Sequence, residues 1–364
     1  MSERPGDRSL ELFDPARMMV SSEGELLDPL SDPRWAEFVG RQADASVFHS
    51  VAWLEALRRT YGYKPFVVTT CDGELANGLV ACHIRSRITG NRIVSVPFAD
   101  HCEPLGEDPG TTRRLLARLA EIQASSACKY LEVRPRSYRP EMKSSFRETA
   151  RYHHHTLDIR RKLEDIAAAF HPSCVLRKIR RAEREKLSWE AGSSERIVSA
   201  FYAMQVLTRR RHKIPPQPMA WFRNLADCFG ERLNIWLAHQ DGRPVAGILT
   251  LAHGKTLVYK YACSDARLHN LGGSVFLFWK VIQEAHAAGV EQIDMGRSDM
   301  DQPSLVEFKE HWGARGSVLT YWRLPKTACQ VSVIPGRRLA GWCIKHSPAW
   351  LLRSAGSVVY RHCG

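Results

Sequence analysis

Apolar positions along the chain follow two spacings, one helical and one alternating, and they recur in the same order twice. Val51, Trp53, Leu54 and Leu57 are spaced as one face of a helix over residues 50–61, with Ser50 as its N-cap. Short apolar runs at 66–70 and 79–84, separated by the turn signal Asp72-Gly73, predict a hairpin. A third strand over 92–96 stops at Pro97. Leu115, Leu116, Leu119 and Ile122 mark a helix over 111–127, and a short strand follows at 130–133.

The second half replays this series. Strands are expected at 235–238 and 245–251 around Asp241-Gly242, then at 256–262, followed by a helix over 272–288 and a strand at 292–295. The echo reaches single residues. Asp72-Gly73-Glu74-Leu75-Ala76-Asn77-Gly78 returns as Asp241-Gly242-Arg243-Pro244-Val245-Ala246-Gly247, and Tyr130-Leu131-Glu132 returns as Gln292-Ile293-Asp294. Four elements repeated in order imply a duplicated unit, hence two α+β domains, each with a mainly antiparallel sheet and flanking helices.

Between the halves the pattern changes. A strand is expected at 157–159 and a helix over 163–170, broken at Pro172. Ser173 then reads as the cap of a basic helix over 174–187, and a further helix over 194–211 ends in Arg209-Arg210-Arg211-His212-Lys213. The first 45 residues, rich in Asp, Pro and Ser, read as an irregular lead-in. The last 39 residues carry six Lys/Arg and no acidic residue, together with Trp342, Trp350, Leu351 and Leu352.

Composition adds charge to this picture. The 364 residues hold 52 Lys+Arg against 39 Asp+Glu, a formal net charge of +13, with an ordinary 44% hydrophobic content. That excludes wholesale disorder and points to an anionic partner. The polar stretch Met1 to Arg8 reads against a secretory signal, and no apolar run approaches 18 residues, so a cytoplasmic protein is expected. Ten cysteines without a C-x-x-C pair read as reduced, mostly buried side chains, and no metal site is expected.

Four motifs in order carry a resemblance: Val258-Tyr259-Lys260-Tyr261-Ala262-Cys263-Ser264, the helix after Gly272-Gly273, Ile293-Asp294-Met295-Gly296-Arg297-Ser298, and Phe308-Lys309-Glu310-His311-Trp312-Gly313-Ala314. Upstream, Phe48-His49-Ser50 with Trp53, Thr156-Leu157-Asp158-Ile159 and Arg177-Lys178-Ile179-Arg180-Arg181-Ala182-Glu183 complete it. Over about residues 46–325 the chain resembles the FemAB-like transferases of the GNAT superfamily, which include peptidoglycan bridge enzymes and exopolysaccharide-associated relatives. The resemblance implies two tandem GNAT-like domains, the first over 46–155 and the second over 156–325 with the basic helix at its start, between the lead-in and a basic apolar tail at 326–364.

It also implies transfer of an acyl or aminoacyl group from acyl-CoA, an acyl carrier or aminoacyl-tRNA to an amine or hydroxyl of an envelope or exopolysaccharide precursor. No tightly bound cofactor is implied. In that reading Lys309 stabilises the developing oxyanion, with Phe308 packed on its stem, and Asp294 accepts the proton of the attacking amine. The alternatives are a surface lysine beside a core Phe308, and an Asp294 that only anchors its loop. Arg177, Arg180, Arg181 and Arg184 share a helix face that binds an anionic substrate or else meets solvent. Arg267, Gly272 and Gly273 precede a helix whose N-terminus would cradle donor phosphates, or form a plain entry turn.

Tyr259 and Tyr261, two apart on a strand, are expected on one face, either at the acceptor site or in the core, and Arg297 is expected on the loop that follows Asp294 and Gly296. His153-His154-His155 alternates faces and reads as no compact site, nor does His154 with Asp158 form an acyltransferase motif. The other class of function open to a basic chain is non-catalytic binding of nucleic acid or anionic lipid. Sorted along the chain, the charge favours phosphates on small or lipid-linked substrates, and the tail would touch the inner face of a membrane.

Overall fold

The computed structural model describes residues 25–106, 108–137, 145–326, 356 and 358–363. In chain order these form β1 (Glu25–Leu27), α1 (Pro33–Arg41), α2 (Val51–Tyr61), β2 (Lys64–Thr69), β3 (Leu79–Ile84), β4 (Arg92–Val94), α3 (Pro109–Ser125) and β5 (Tyr130–Val133). There follow β6 (Arg147–Asp158), α4 (Leu163–Ala168), α5 (Arg177–Arg184), β7 (Ser188–Gly192), α6 (Glu195–Arg211) and α7 (Met219–Phe229). The chain continues through β8 (Leu233–Gln240), β9 (Arg243–His253), β10 (Thr256–Ser264), α8 (Gly273–Ala287), β11 (Gln292–Asp299), α9 (Pro303–Glu310) and β12 (Arg315–Pro325).

Two compact units result. The first holds residues up to Ala150 and regains the chain at Thr320–Gln330; the second holds Arg151–Leu319. In the first, strands run β1-β2-β3-β4-β5-β12. β2, β3 and β4 are antiparallel neighbours, whereas β4 and β5 are parallel because α3 crosses between them. In the second the order is β6-β11-β10-β9-β8-β7. Again β8, β9 and β10 are antiparallel, and α8 carries the chain to a parallel β11. The duplicated sequence is thus a duplicated α+β fold.

The echoed glycines share a packing role. A Cβ on Gly78 would stand 2.7 Å from the Trp35 ring of α1, and one on Gly247 would stand 2.9 Å from the Phe201 ring of α6. Each glycine lets an aromatic side chain rest directly on the strand. Asp241 and Gly242 both take positive φ, 50° and 76°, the turn that suits the right-handed twist of a hairpin. Leu115, Leu116, Leu119 and Ile122 of α3 bury against Phe66, Val68, Ala81 and Leu131. Val275, Phe276, Phe278 and Ile282 of α8 do the same against Ile248, Leu257 and Ile293.

Three local expectations need correction. Residues 25–41 are not irregular: Asp32 caps α1 by accepting from Arg34 N–H, Pro33 opens the helix, and Trp35, Phe38 and Val39 bury one face. The basic helix does not begin at a Ser173 cap. A π-turn spans Pro172–Leu176, capped by the His171 ring, and α5 begins only at Arg177. Tyr259 and Tyr261 do not share a face, because the β10–β9 register shifts between them. Residues 1–24 and nearly all of the basic tail lie outside the described residues.

Candidate active site

β10 and β11 pair through only three residues each, 256–258 against 292–294, although both strands run on. On its other edge β11 slips register against β6 between Asp294 and Arg297. Gly296 supplies this bulge with φ of 67°, a conformation glycine reaches without steric cost. Folding back, the Gly296 N–H donates to Asp294 Oδ1 at 2.7 Å, and its carbonyl accepts from Lys309 Nζ of α9 at 2.7 Å.

A third donor comes from β6. His154 Nε2 lies 2.9 Å from Asp294 Oδ1, and His154 Nδ1 lies 3.5 Å from the Ser317 hydroxyl of β12. With Nε2 donating to the carboxylate, a neutral ring leaves Nδ1 to accept from Ser317. Lys309, Asp294 and His154 are 3%, 4% and 2% exposed, so an ammonium, a carboxylate and an imidazole are gathered out of water around one glycine peptide. Buried charges persist only where partners compensate their desolvation, and the bulge provides those partners.

The neighbours fill in the environment. His155, on the opposite side of β6 from His154, has its imidazole held below the usual range by burial and by the Lys309 charge, and its Nε2 lies 3.9 Å from Glu310. Phe308 is half-buried against Trp312, which meets Phe278 edge-on, and Phe278 in turn meets Tyr259. Burial drives the Tyr259 hydroxyl well above its usual range. Tyr261 belongs to another layer, its hydroxyl accepting from Trp221 Nε1 at 3.0 Å beside Phe222. Arg297 stacks on Tyr152, its guanidinium 4.2 Å from the ring centroid.

The remaining expected residues form a second cluster. Arg177, Arg180 and Arg181 are exposed on α5, where Ile179 and Ala182 bury the opposite face against α8; Arg181 also approaches Glu185 at 3.6 Å. Gly272 takes φ of 76° and lies so close to α5 that a Cβ would stand 2.7 Å from the Lys178 carbonyl. Gly273 packs likewise on Val245 and Ala246. Gly272 is therefore required by its approach to the α5 backbone, and Gly273 is held by side-chain packing, whatever else they do. No side-chain hydrogen bond caps α8, whose first residues lie close to α5. Arg267 is bonded to Asp265, whose carboxyl it holds at about 2.

His154 is the residue the sequence reading set aside. Asp158 pairs with Arg160 and not with His154. Yet His154 is bonded to Asp294 across 140 residues. His154 lies on the same side of β6 as Thr156, which stands opposite Asp294, a register that the sequence alone does not disclose.

A twice-repeated antiparallel sheet, a crossover helix and a parallel strand that parts from its neighbour beyond a bulge define a GNAT-type fold. Residues 174–310, all within the second unit, match the family model described as an acetyltransferase (GNAT) domain. Among solved structures the chain is similar to FemX, at 12% identity over 83% of this chain and 97% of that one, with a TM-score of 0.63. It is also similar to a tandem GNAT protein from the clavulanic acid biosynthesis pathway (13% identity, 85% and 100% covered, TM-score 0.52). A third is the C-terminal domain of a putative lysylphosphatidylglycerol synthetase from Agrobacterium fabrum (14%, 80% and 91%, TM-score 0.53). The FemAB-like resemblance thus holds at the level of the fold. No curated protein matches the sequence.

Proposed function

We propose that the second unit transfers an acyl or aminoacyl group from an activated carrier, acyl-CoA or aminoacyl-tRNA, to an amine or hydroxyl of a cell-envelope or exopolysaccharide precursor. The observation that carries this reading is the Lys309–Gly296–Asp294–His154 network at the point where β10 and β11 stop pairing. A solvated surface lysine or a plain loop anchor would not need a buried ammonium and a buried carboxylate within one hydrogen-bonded chain. Attack on the carrier's carbonyl builds negative charge on its oxygen, which the fixed Lys309 ammonium stabilises. The nucleophile must lose a proton as the bond forms, and the Asp294–His154 pair accepts it, with Ser317 orienting the ring.

The other expected contacts support substrate binding in the same reading. The N-terminus of α8, which no side chain caps, and the exposed arginines of α5 suit the phosphates of a donor or a lipid-linked acceptor. Phe308 and Tyr259 flank the aromatic row beneath Lys309. Among the described residues no helix is long and apolar enough to cross a membrane, so a lipid-linked acceptor would be reached from the surface. The test is incubation of the purified chain with acetyl-CoA or aminoacyl-tRNA and candidate amines, reading product by mass. Product formed with one donor, weakened through KM by Arg180→Glu, supports the reading. Inactivity with both donors together with tight, salt-sensitive RNA binding refutes it in favour of a non-catalytic binding protein.

A further inference from the structure

A second group of reactive side chains gathers where the π-turn before α5 meets the end of α9. His171, Cys174 and His311 each present a ligand atom, and these three atoms all lie within 4.8 Å of one another. Two segments far apart in sequence are tied together here: the His171 N–H donates to the His311 carbonyl at 2.8 Å, and the two imidazoles meet edge-on at 4.5 Å between centroids. The π-turn at Pro172–Leu176 brings Cys174 back beside His171, and such turns concentrate at functional positions. The thiol is half-buried, and none of the three side chains takes part in the Lys309–Asp294 network.

We propose that His171, Cys174 and His311 bind a zinc-class divalent ion through two imidazole nitrogens and a thiolate. The donor set is that of a three-ligand zinc site with a fourth position open to water, which the exposure of His171 allows. Tetrahedral zinc with Zn–N and Zn–S bonds of ordinary length places its ligand atoms about 3.3–3.6 Å apart, so closure of the group by roughly one ångström completes the site.

His171 Nδ1 now accepts from Cys174 N–H at 3.2 Å and stands 3.3 Å from Ser173 Oγ, both long contacts. A ring rotation, or exchange of these contacts for the metal, frees a lone pair for coordination. As the metal–sulfur bond forms, Cys174 gives its thiol proton to solvent, so affinity rises with pH. The bound ion clamps the segment leading into α5 to the end of α9, two residues beyond Lys309.

Cobalt(II) is the probe, because tetrahedral cobalt bound to thiolate absorbs through sulfur-to-metal charge transfer. The full chain, purified in reductant and chelator and then freed of both, should take up one equivalent of Co2+ with that band, and Zn2+ should bleach it. Cys174→Ala should abolish the band, Cys363→Ala should leave it intact, and His311→Ala should weaken binding by at least about tenfold. Absence of the band, or a band that survives Cys174→Ala, overturns the proposal. Circular dichroism of each variant separates loss of a ligand from loss of fold, and a Cys174→Ser chain that keeps its fold while losing the band serves if the alanine variant does not fold. The readout is independent of acyl transfer, so a silent enzyme and an absent metal site are distinguished.

Discussion

Glu132 and Asp294 hold equivalent places in the two units, and the proposed function gives them opposite jobs. Glu132 is paired with Val94 across a parallel ladder, as Asp294 is paired with Val258. Glu132 is buried and bonded to Arg134 at 2.8 Å and to Arg323 at 2.7 Å. Burial alone would raise its pKa, but the two guanidiniums outweigh that and hold the carboxyl below its usual range. Glu132→Gln leaves two partly exposed guanidiniums sharing one buried neutral acceptor, and the loss of two charge-assisted bonds costs about 2–4 kcal/mol. At about 2–4 °C per kcal/mol for a unit of this size, the melting transition should fall by roughly 4–16 °C.

Asp294→Asn differs in kind. The amide keeps an oxygen for the Gly296 N–H and for His154, so these two bonds lose charge assistance alone, about 1 kcal/mol. Thermal and urea unfolding of both variants, followed by circular dichroism, gives the comparison. Glu132→Gln should be strongly destabilised and Asp294→Asn barely so, while transfer activity should fall in Asp294→Asn. Equal destabilisation of the two, or a neutral Glu132→Gln, would refute the idea that one copy of this carboxylate is structural and the other is held for chemistry.

Other expectations follow from single residues. Burial, with help from Arg85 and Lys64, pushes His83 down to about 4 from an unfolded value of 6.5. The unfolded chain therefore binds the extra proton first, and the neutral ring's contribution, full above 6.5, is lost as pH falls toward 4. That loss reaches at most about 3 kcal/mol; urea unfolding across this window should flatten in His83→Gln, and an unchanged slope would contradict it. Gly247→Ala, which sets a methyl 2.9 Å from the Phe201 ring and 3.0 Å from Cys263 Sγ, should destabilise by about 1–3 kcal/mol in the same assay. A gain in stability there would show that the α6 contact is loose.

Much of the fold could be read in advance because the signals were local. β3 and β5 fall where alternation and turn residues put them, and the repeated order of elements located their copies in the second unit. The misses share a cause. α1 carries its cap, its proline and an i, i+3, i+4 apolar face, but they lie within a polar stretch that reads as loop. The π-turn is set by the His171 ring, which no propensity anticipates. A single bulge sends Tyr259 toward Phe278 and Tyr261 toward Trp221, and alternation rules fail at bulges.

At the site, Lys309 and Asp294 could be named from the resemblance, whereas their shared link through Gly296 needed the bulged backbone. His154 was hidden because its partner is set by the β6–β11 register and not by neighbouring sequence. The charge surplus could be counted but not positioned. In the structure the α5 arginines are exposed on the face opposite Ile179 and Ala182, which a count of charges does not disclose.

The account rests on the buried ammonium at the β11 bulge. The most direct measurement is single-turnover transfer by the wild-type chain and by Lys309→Met, a variant that keeps the stem and removes the charge, with each checked for native fold. A loss of about 10²–10³ in the rate of the chemical step, with donor binding unchanged, is what oxyanion stabilisation by Lys309 predicts. Transfer by Lys309→Met at the wild-type rate would contradict it.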